Sequence, residues 1–157
     1  MKKILLIICT LFIFSSLFGC QKEEEKENLV QMGNPWTDHA ALKDAESAVG
    51  FPLEIPETIG AYTAEVFRVL NGELLEVRYI NGDSEVTVRK QAGEGQDISG
   101  DYTQYPTVSL TDADGYSVEA RTDGTVTSAI ISTGGYSYSV YAPCSAAEEF
   151  ISAITGK

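Results

Sequence analysis

The sequence is poor in the residues that metal sites and nucleophilic triads require. It has one histidine, His39, and three cysteines, of which Cys9 and Cys20 lie close to the N-terminus. Basic residues are scarce too: 11 Lys and Arg stand against 23 Asp and Glu, giving a formal net charge of −12. Nucleic-acid binding needs a basic surface that neutralises phosphates. This charge therefore excludes a nucleic-acid partner.

Long apolar runs are also missing, except for Ile4–Phe14, which follows Lys2 and Lys3. The run is short for a membrane-spanning helix and is typical of an export signal. The residues Leu17-Phe18-Gly19-Cys20 that follow resemble a bacterial lipobox. An ordinary signal peptide with a chance cysteine, or an uncleaved anchor, are the alternatives.

The lipobox resemblance implies that the chain is cleaved before Cys20 and that the Cys20 thiol carries an acyl chain such as palmitate. The protein would then be lipid-anchored at the outer face of the bacterial cytoplasmic membrane, with the bilayer as its first partner. We therefore divide the chain into a signal peptide (1–19), an acidic flexible tether (20–34) and a single domain (35–157). In this scheme Cys144 has no disulfide partner.

Helical patterns begin and end the predicted domain. Thr37 or Asp38 is predicted to cap the first helix, which runs to about Val49 and ends at Gly50. The second runs from Ser145 to about Thr155, and Ser145 with Glu148 fits a capping box.

Between the helices the chain alternates strand and turn, with two-residue turns predicted at Asn71-Gly72, Asn81-Gly82, Asp123-Gly124 and Gly134-Gly135. On these registers the apolar rows are Val66-Val77-Val86, Tyr116-Ile131-Tyr138 and Val118-Ala129-Val140, and the opposite, charged row is Glu65-Arg78-Glu85. We predict an α+β fold: a curved antiparallel meander sheet of about seven strands, with an N-terminal and a C-terminal helix on one face.

Three side chains are candidate ligand-binding residues. Tyr116 and Tyr138 are predicted to face the helices, where tyrosines pack in the core or line a ligand surface. Arg68 falls on the predicted apolar face beside Leu75, an unusual place for a guanidinium group. It either snorkels at the end of the sheet or pairs with a carboxylate in a pocket.

The Gly- and Asp-rich segment from Ala92 to Tyr102 is the candidate metal site. Asp97 and Asp101 are the candidate ligands, and a plain loop with Asp turns is the alternative. The run Asp112 to Gly115 begins like a calcium-binding loop, but Leu110 and Arg121 would then hold ligand positions, which excludes it. No cofactor is predicted.

No nucleophile, base and orienting group occur together, so we do not expect an enzyme. The first hypothesis is a non-catalytic binding or interaction module whose partner is a cell-envelope protein or a small ligand. The alternative is a carrier that holds an apolar ligand between sheet and helices, lined by Val66, Val77, Tyr116, Val118 and Tyr138. A carboxylate-based hydrolase ranks below both.

The chain also resembles a wider group. It is similar to small extracytoplasmic lipoproteins and domains of unknown function in Firmicutes. The segments that carry this similarity are Gly50-Phe51-Pro52, the hairpin meander, Asp97–Tyr102, Gly134–Ser139 and the terminal helix. The resemblance covers roughly the last 110 residues. It implies a curved sheet similar to that of lipoprotein carriers and brings no catalytic residues with it.

Overall fold

The structure is a computed structural model that describes residues 34–157. In chain order its elements are β1 (Trp36–His39), α1 (Leu42–Val49), β2 (Thr58–Ile59), β3 (Tyr62–Leu70), β4 (Leu74–Asn81), β5 (Ser84–Ala92), β6 (Thr107–Ala113), β7 (Tyr116–Thr122), β8 (Val126–Thr133), β9 (Tyr136–Pro143) and α2 (Cys144–Thr155). The signal peptide, Cys20 and nearly all of the tether lie outside the described residues. Within residues 34–157, no helix has the length and apolar character that crossing a membrane requires.

Two antiparallel meanders lie side by side in one nine-stranded sheet. The strand order is β1-β3-β4-β5-β9-β8-β7-β6, and the short β2 pairs with β3 beside this path. The last strands of the two meanders, β5 and β9, pair in the middle of the sheet. The predicted α+β class is confirmed. The strand number of about seven was too low, because β1 and β2 were not predicted.

One face of the sheet carries the core, and both helices pack on it. Phe150 of α2 meets Tyr79 edge to face, with ring centroids 5.0 Å apart. Ala45 is the buried contact of α1. Burial of each large apolar side chain contributes about 1.5–3 kcal/mol, so this face supplies most of the stability. The fully buried apolar strand residues are Leu75, Val77, Tyr79, Val86, Val88, Ala129, Ile131, Val140 and Ala142.

The face of the sheet on which a side chain lies was predicted correctly more often than its partner on the neighbouring strand. The Gly134-Gly135 register is confirmed, since Ile131 pairs with Tyr138. The registers set by Asn81-Gly82 and Asp123-Gly124 were wrong by two residues, because each turn is centred one residue later. A two-residue shift leaves every side chain on its predicted face. The observed pairs are Val77 with Val88, Tyr79 with Val86, Arg78 with Thr87, Val118 with Ile131, and Tyr116 with Thr133.

The first hairpin departs from prediction in a way that matters for function. Its turn includes Glu73 as well as Asn71 and Gly72, so Leu70 pairs with Leu74. This one-residue shift exchanges the two faces of the last part of β3. The predicted row Val66-Val77-Val86 and the charged row Glu65-Arg78-Glu85 are therefore both wrong.

A β-bulge between Ala64 and Val66 compensates for this shift, so Ala64 pairs with Tyr79. Between the bulge and the turn, Phe67 and Val69 face the core. Arg68 lies on the helix-free face, not on the apolar face as predicted. Its side chain therefore does not have to snorkel past apolar residues to reach solvent.

The helix boundaries correct the predictions in two places. Residues Trp36–His39 form the edge strand β1, and α1 begins only at Leu42. Gly50 ends α1 as predicted, in the left-handed region at φ 81°. At the second helix, Pro143 holds the N-cap position and no side chain caps α2, so the predicted Ser145–Glu148 capping box is wrong.

Candidate functional site

Three of the four arginines of the chain converge on one carboxylate on the helix-free face. The registers place Arg68 of β3 opposite Glu76 of β4, and Glu76 opposite Arg89 of β5. Arg78 lies two residues beyond Glu76 on β4 and so shares its face. The sheet thus brings together residues that are far apart in sequence.

Glu76 is completely buried beneath these arginines. Its Oε1 accepts hydrogen bonds from Arg68 and from Arg78 Nε at 3.0 Å, and its Oε2 accepts one from Arg89 Nε at 2.9 Å. Burial pushes the pKa of Glu76 upward, but the hydrogen bonds from Arg68 and Arg78 and the charge of Arg89 outweigh it. The pKa is therefore lowered, and Glu76 is an anion at neutral pH.

Trp36 extends the cluster to the edge of the sheet. The guanidinium carbon of Arg68 lies 4.7 Å from the Trp36 ring centroid, and that of Arg89 lies 5.7 Å from it. Both distances allow cation–π attraction. We call Trp36, Arg68, Glu76, Arg78 and Arg89 the arginine cluster.

The arginine cluster has N–H donors that the described residues do not use. The side chains of Arg68 and Arg78 are 22% and 32% exposed. Among residues 34–157, Arg68 Nη1 and Arg78 Nη2 have no hydrogen-bond partner. Glu85 approaches the rim, with its carboxylate 3.6 Å from Arg78. Asp38 stands opposite Arg68 in the β1–β3 register and shares this face, so Asp38, Glu76 and Glu85 together balance the charge of the three arginines.

The loop after β5 folds onto the helix-free face next to the arginine cluster. Arg89 Nη1 donates to the carbonyl of Ile98 at 3.2 Å and also to that of Ser99. The backbone N–H of Gln96 donates to Ser137 Oγ at 3.0 Å. Arg89 is therefore held between Glu76 and the loop carbonyls, so in the described part of the chain Arg68 and Arg78 are the members of the cluster that face solvent with a donor free.

Asp97 and Asp101, the two candidate metal ligands, accept hydrogen bonds from protein groups in and around this loop. Asp97 accepts hydrogen bonds from Ser99 and pairs with Arg121 Nη1 at 2.9 Å. Asp101 accepts from Tyr105 Oη at 2.6 Å and from the Thr103 N–H at 3.0 Å. In the part of the chain that the structure describes, no group of three or more His, Cys, Asp or Glu side chains is arranged to hold a metal ion.

The Asp101–Tyr105 contact predicts an acid-sensitive loop. Burial raises the pKa of Asp101, but hydrogen bonds from Tyr105 and Thr103 prevail and lower it to about 2. Because the folded pKa is depressed, the contact stabilises the loop fully above the unfolded pKa of about 3.9 and less as pH falls toward 2. We expect the protection of the amides of residues 97–105 against hydrogen exchange, relative to an unstructured chain at the same pH, to fall over this range. In Asp101→Asn, this protection should already be low at neutral pH and change little on acidification. Wild-type acid sensitivity in that variant would contradict the assignment.

A second charged group, Lys90, is buried on the helix-covered face. Its Nζ donates to the carbonyl of Pro52 at 2.6 Å and to Glu54 Oε2 at 3.1 Å. The ring centroids of Tyr136, Tyr138 and Phe51 lie 4.0, 5.1 and 5.6 Å from Nζ. Sequence analysis missed this site, although Lys90 continues the inward alternation of Val86 and Val88.

The candidate ligand-binding residues are therefore separated. Tyr138 is one of the three aromatic residues around Lys90 Nζ, and Arg68 lies on the opposite face of the sheet. Tyr116 lines a cleft of about 500 Å³ between β6–β7 and the end of α2, together with Val118 and Ile151. Of the other predicted carrier residues, Val77 lies in the packed core and Val66 on the helix-free face.

Comparison with known proteins adds no relative: no family model matches the chain, and neither a curated protein nor a solved structure matches it. The geometry of the described residues must carry the functional argument.

Proposed function

We propose that this protein is a non-catalytic binding module, tethered through acylated Cys20 to the outer face of the bacterial cytoplasmic membrane, that binds an acidic segment of a cell-envelope protein. The observation that carries the proposal is the arginine cluster. Within residues 34–157, Arg68 and Arg78 each keep an N–H group without a hydrogen-bond partner, and the guanidinium group of Arg68 lies against the Trp36 ring, on a face that neither helix covers.

Carboxylates are the chemistry that suits this surface. A guanidinium group binds a carboxylate with two parallel hydrogen bonds, which gives both strength and direction. Glu76 fixes the orientation of Arg68 and Arg78 in advance, so a ligand need not order them. The lowered pKa of Glu76 leaves it without a proton to donate, which favours binding over acid catalysis.

The test uses the fluorescence of Trp36, the one tryptophan of the chain. The full chain in neutral detergent is titrated with a hexaglutamate peptide at low salt. We expect saturable binding that weakens as salt rises, because ion pairs at a partly exposed surface are screened. In the double variant Arg68→Gln/Arg78→Gln we expect at least tenfold weaker binding.

The control is Arg121→Gln, which removes one positive charge from the helix-free face outside the arginine cluster, against two in the double variant. It should bind hexaglutamate within twofold of wild type. Thermal unfolding of each variant checks that the fold is kept. Equal affinity of the double variant and wild type would rule out the arginine cluster as the binding surface.

The second candidate function is a carrier of an apolar ligand, favoured by the cleft that Tyr116, Val118 and Ile151 line. Its volume is in the range of small-molecule pockets, which run from about 300 to 1,000 Å³. If the cleft holds a ligand, Ala120→Phe, which fills it, should abolish binding of a fluorescent fatty acid while hexaglutamate binding persists. Absence of fatty-acid binding to wild type would remove this candidate.

A further inference from the structure

We infer that the edge strand β6 is a self-association surface, at which a second copy of the chain adds its own β6 in antiparallel orientation. This surface is separate from the arginine cluster, which lies on β1 and β3–β5 toward the opposite edge of the sheet. Its occupant is a second copy of this chain, so the pairing goes beyond the proposed function and does not depend on it.

The outer edge of β6 is open along its whole length. In residues 34–157, β6 is the last strand of the sheet and pairs only with β7. All seven residues of β6 are exposed, which is true of no other strand in this part of the chain. The N–H and C=O groups along such an edge can pair with a further strand. The opposite edge is protected, because β1 has only four residues and short edge strands discourage pairing.

The sequence of β6 lacks the features that normally protect an edge. Proteins discourage edge pairing with lysine and other charges, with proline or with a bulge. The stretch Thr107–Thr111 contains no proline and no charged residue, and its register with β7 is unbroken. Val108 and Leu110 project from it on the helix-free face and are 56% and 75% exposed. Pro106 and Asp112 bound the stretch, so pairing is favoured over these five residues.

One register makes β6 complementary to itself. A two-fold axis at Ser109 sets Val108 opposite Leu110 of the second copy, and Thr107 opposite Thr111 of the second copy. Apolar and threonine pairs of this kind stabilise neighbouring strands. An axis at Leu110 would instead set Val108 opposite an aspartate. Because the axis at Ser109 is perpendicular to the sheet, the helix-free faces of both copies point to the same side, and the contact closes as a dimer.

The charges on the helix-free face near this edge lie far from their counterparts in the dimer. Asp112 is three positions from the axis and Asp114 is further out, so the two copies of Asp112 are about 20 Å apart along the strands. The nearest charges on β7 are Glu119 and Arg121, which pair at 2.6 Å, and Arg121 also pairs with Asp97. Glu119 and Arg121 are separated from the second copy's β7 by three strand spacings, about 14 Å.

Salt should therefore strengthen the dimer. On the helix-covered face, side chains of both signs, Glu148 and Lys157, line the cleft beside Ser109. The distances between like charges exceed the Debye length, which is about 8 Å at physiological ionic strength. The net charge of −12 repels two copies chiefly at low salt. We expect dimerisation to increase as salt rises, whereas hexaglutamate binding is expected to weaken.

Disulfide cross-linking tests the register. Each full chain, in neutral detergent and in a Cys144→Ser background, is oxidised with diamide and analysed on a non-reducing gel. Ser109→Cys should give a cross-linked dimer, because opposed residues of antiparallel strands have Cα atoms about 4.5–5.5 Å apart, within disulfide range. Thr107→Cys and Thr111→Cys should each stay uncross-linked alone and cross-link when mixed. The Cys144→Ser parent should give no dimer band.

Sedimentation equilibrium in density-matched detergent tests the affinity. Leu110→Lys puts a charge opposite Val108 of the second copy, and we expect it to weaken dimerisation about tenfold. The matched control is Tyr102→Lys, which makes an apolar-to-lysine change at a 96% exposed position outside β6. It should dimerise within about twofold of wild type. Thermal unfolding of each variant checks that the fold is kept.

Two results would overturn the inference. Cross-linking of Thr111→Cys alone to the extent of Ser109→Cys would mean random collision or another register. A wild-type chain that stays monomeric at high salt would leave the edge for a strand of a different protein. The proposed function is tested separately, because Arg68→Gln/Arg78→Gln should lose hexaglutamate binding but dimerise as wild type does, and Leu110→Lys should lose the dimer but still bind hexaglutamate.

Discussion

Replacing Glu76 with glutamine should lower the free energy of unfolding by about 3 kcal/mol, which is typical when one partner of a buried ion pair is removed. The change leaves Arg68, Arg78 and Arg89 converging without the anion that they surround. Because these side chains are 20–32% exposed, water can reach part of the released charge. The loss should therefore lie at the lower end of the range for buried pairs.

Urea unfolding monitored by far-UV circular dichroism measures this loss. The control is Glu85→Gln, which removes a carboxylate that is 44% exposed and 3.6 Å from Arg78. An exposed pair of this kind contributes less than about 0.5 kcal/mol. Similar losses for the two variants would show that burial of Glu76 has no energetic consequence.

The Glu76 effect should also depend on pH in a defined direction. The pKa of Glu76 is lowered in the folded state, so its contribution is fully present above the unfolded pKa of about 4.3. It is lost as pH falls through the lower, folded pKa. The difference in stability between wild type and Glu76→Gln should therefore be constant from pH 8 to 5 and shrink below about pH 4. A difference that grows on acidification would contradict the assignment.

Replacing Lys90 with alanine should also cost about 3 kcal/mol, in the range for large-to-small changes in a core. Its aliphatic stem fills space on the helix-covered face, and its Nζ lies among the rings of Phe51, Tyr136 and Tyr138. Alanine removes the stem, the cation–π contacts and the hydrogen bond to Pro52 together.

Methionine at position 90 separates these contributions, because it keeps most of the stem but donates no hydrogen bond. We expect Lys90→Met to lose about 1–2 kcal/mol, the cost of leaving the Pro52 carbonyl without its donor. Lys43→Ala, on the exposed surface of α1, should change stability by less than about 0.5 kcal/mol. A Lys90→Ala variant as stable as wild type would refute the buried position of Lys90.

Much of the core could be predicted because side-chain alternation in a strand survives errors of register. Val77 and Val86 were assigned to the inward face although their predicted pairing was wrong by two residues. Glycine-containing turns located the hairpins, and Gly134-Gly135 also set the register, since both glycines have positive φ. The start of the first helix was missed because Trp36–His39 finds its hydrogen bonds on the edge of β3, which no local pattern reveals.

The candidate site was much harder to predict. The position of Arg68 depends on one extra residue in a turn and on a bulge that compensates for it several residues away. Taken alone, the sequence predicts a guanidinium in the core. The loop residues Asp97 and Asp101 invited a metal hypothesis because carboxylates look alike until their hydrogen-bond partners are known.

The sequence by itself determined the fold class, the two helical ends, the inward face of most strands and the excess of acidic charge, because each depends on local periodicity or on composition. Only the tertiary structure decided that Arg68, Arg78 and Arg89 share Glu76, that Trp36 lies beside them, and that Lys90 is buried. These contacts join strands through register, and register is set by the exact length of turns and bulges. A difference of one residue there exchanges core for surface, which is why the site appears only in the folded chain.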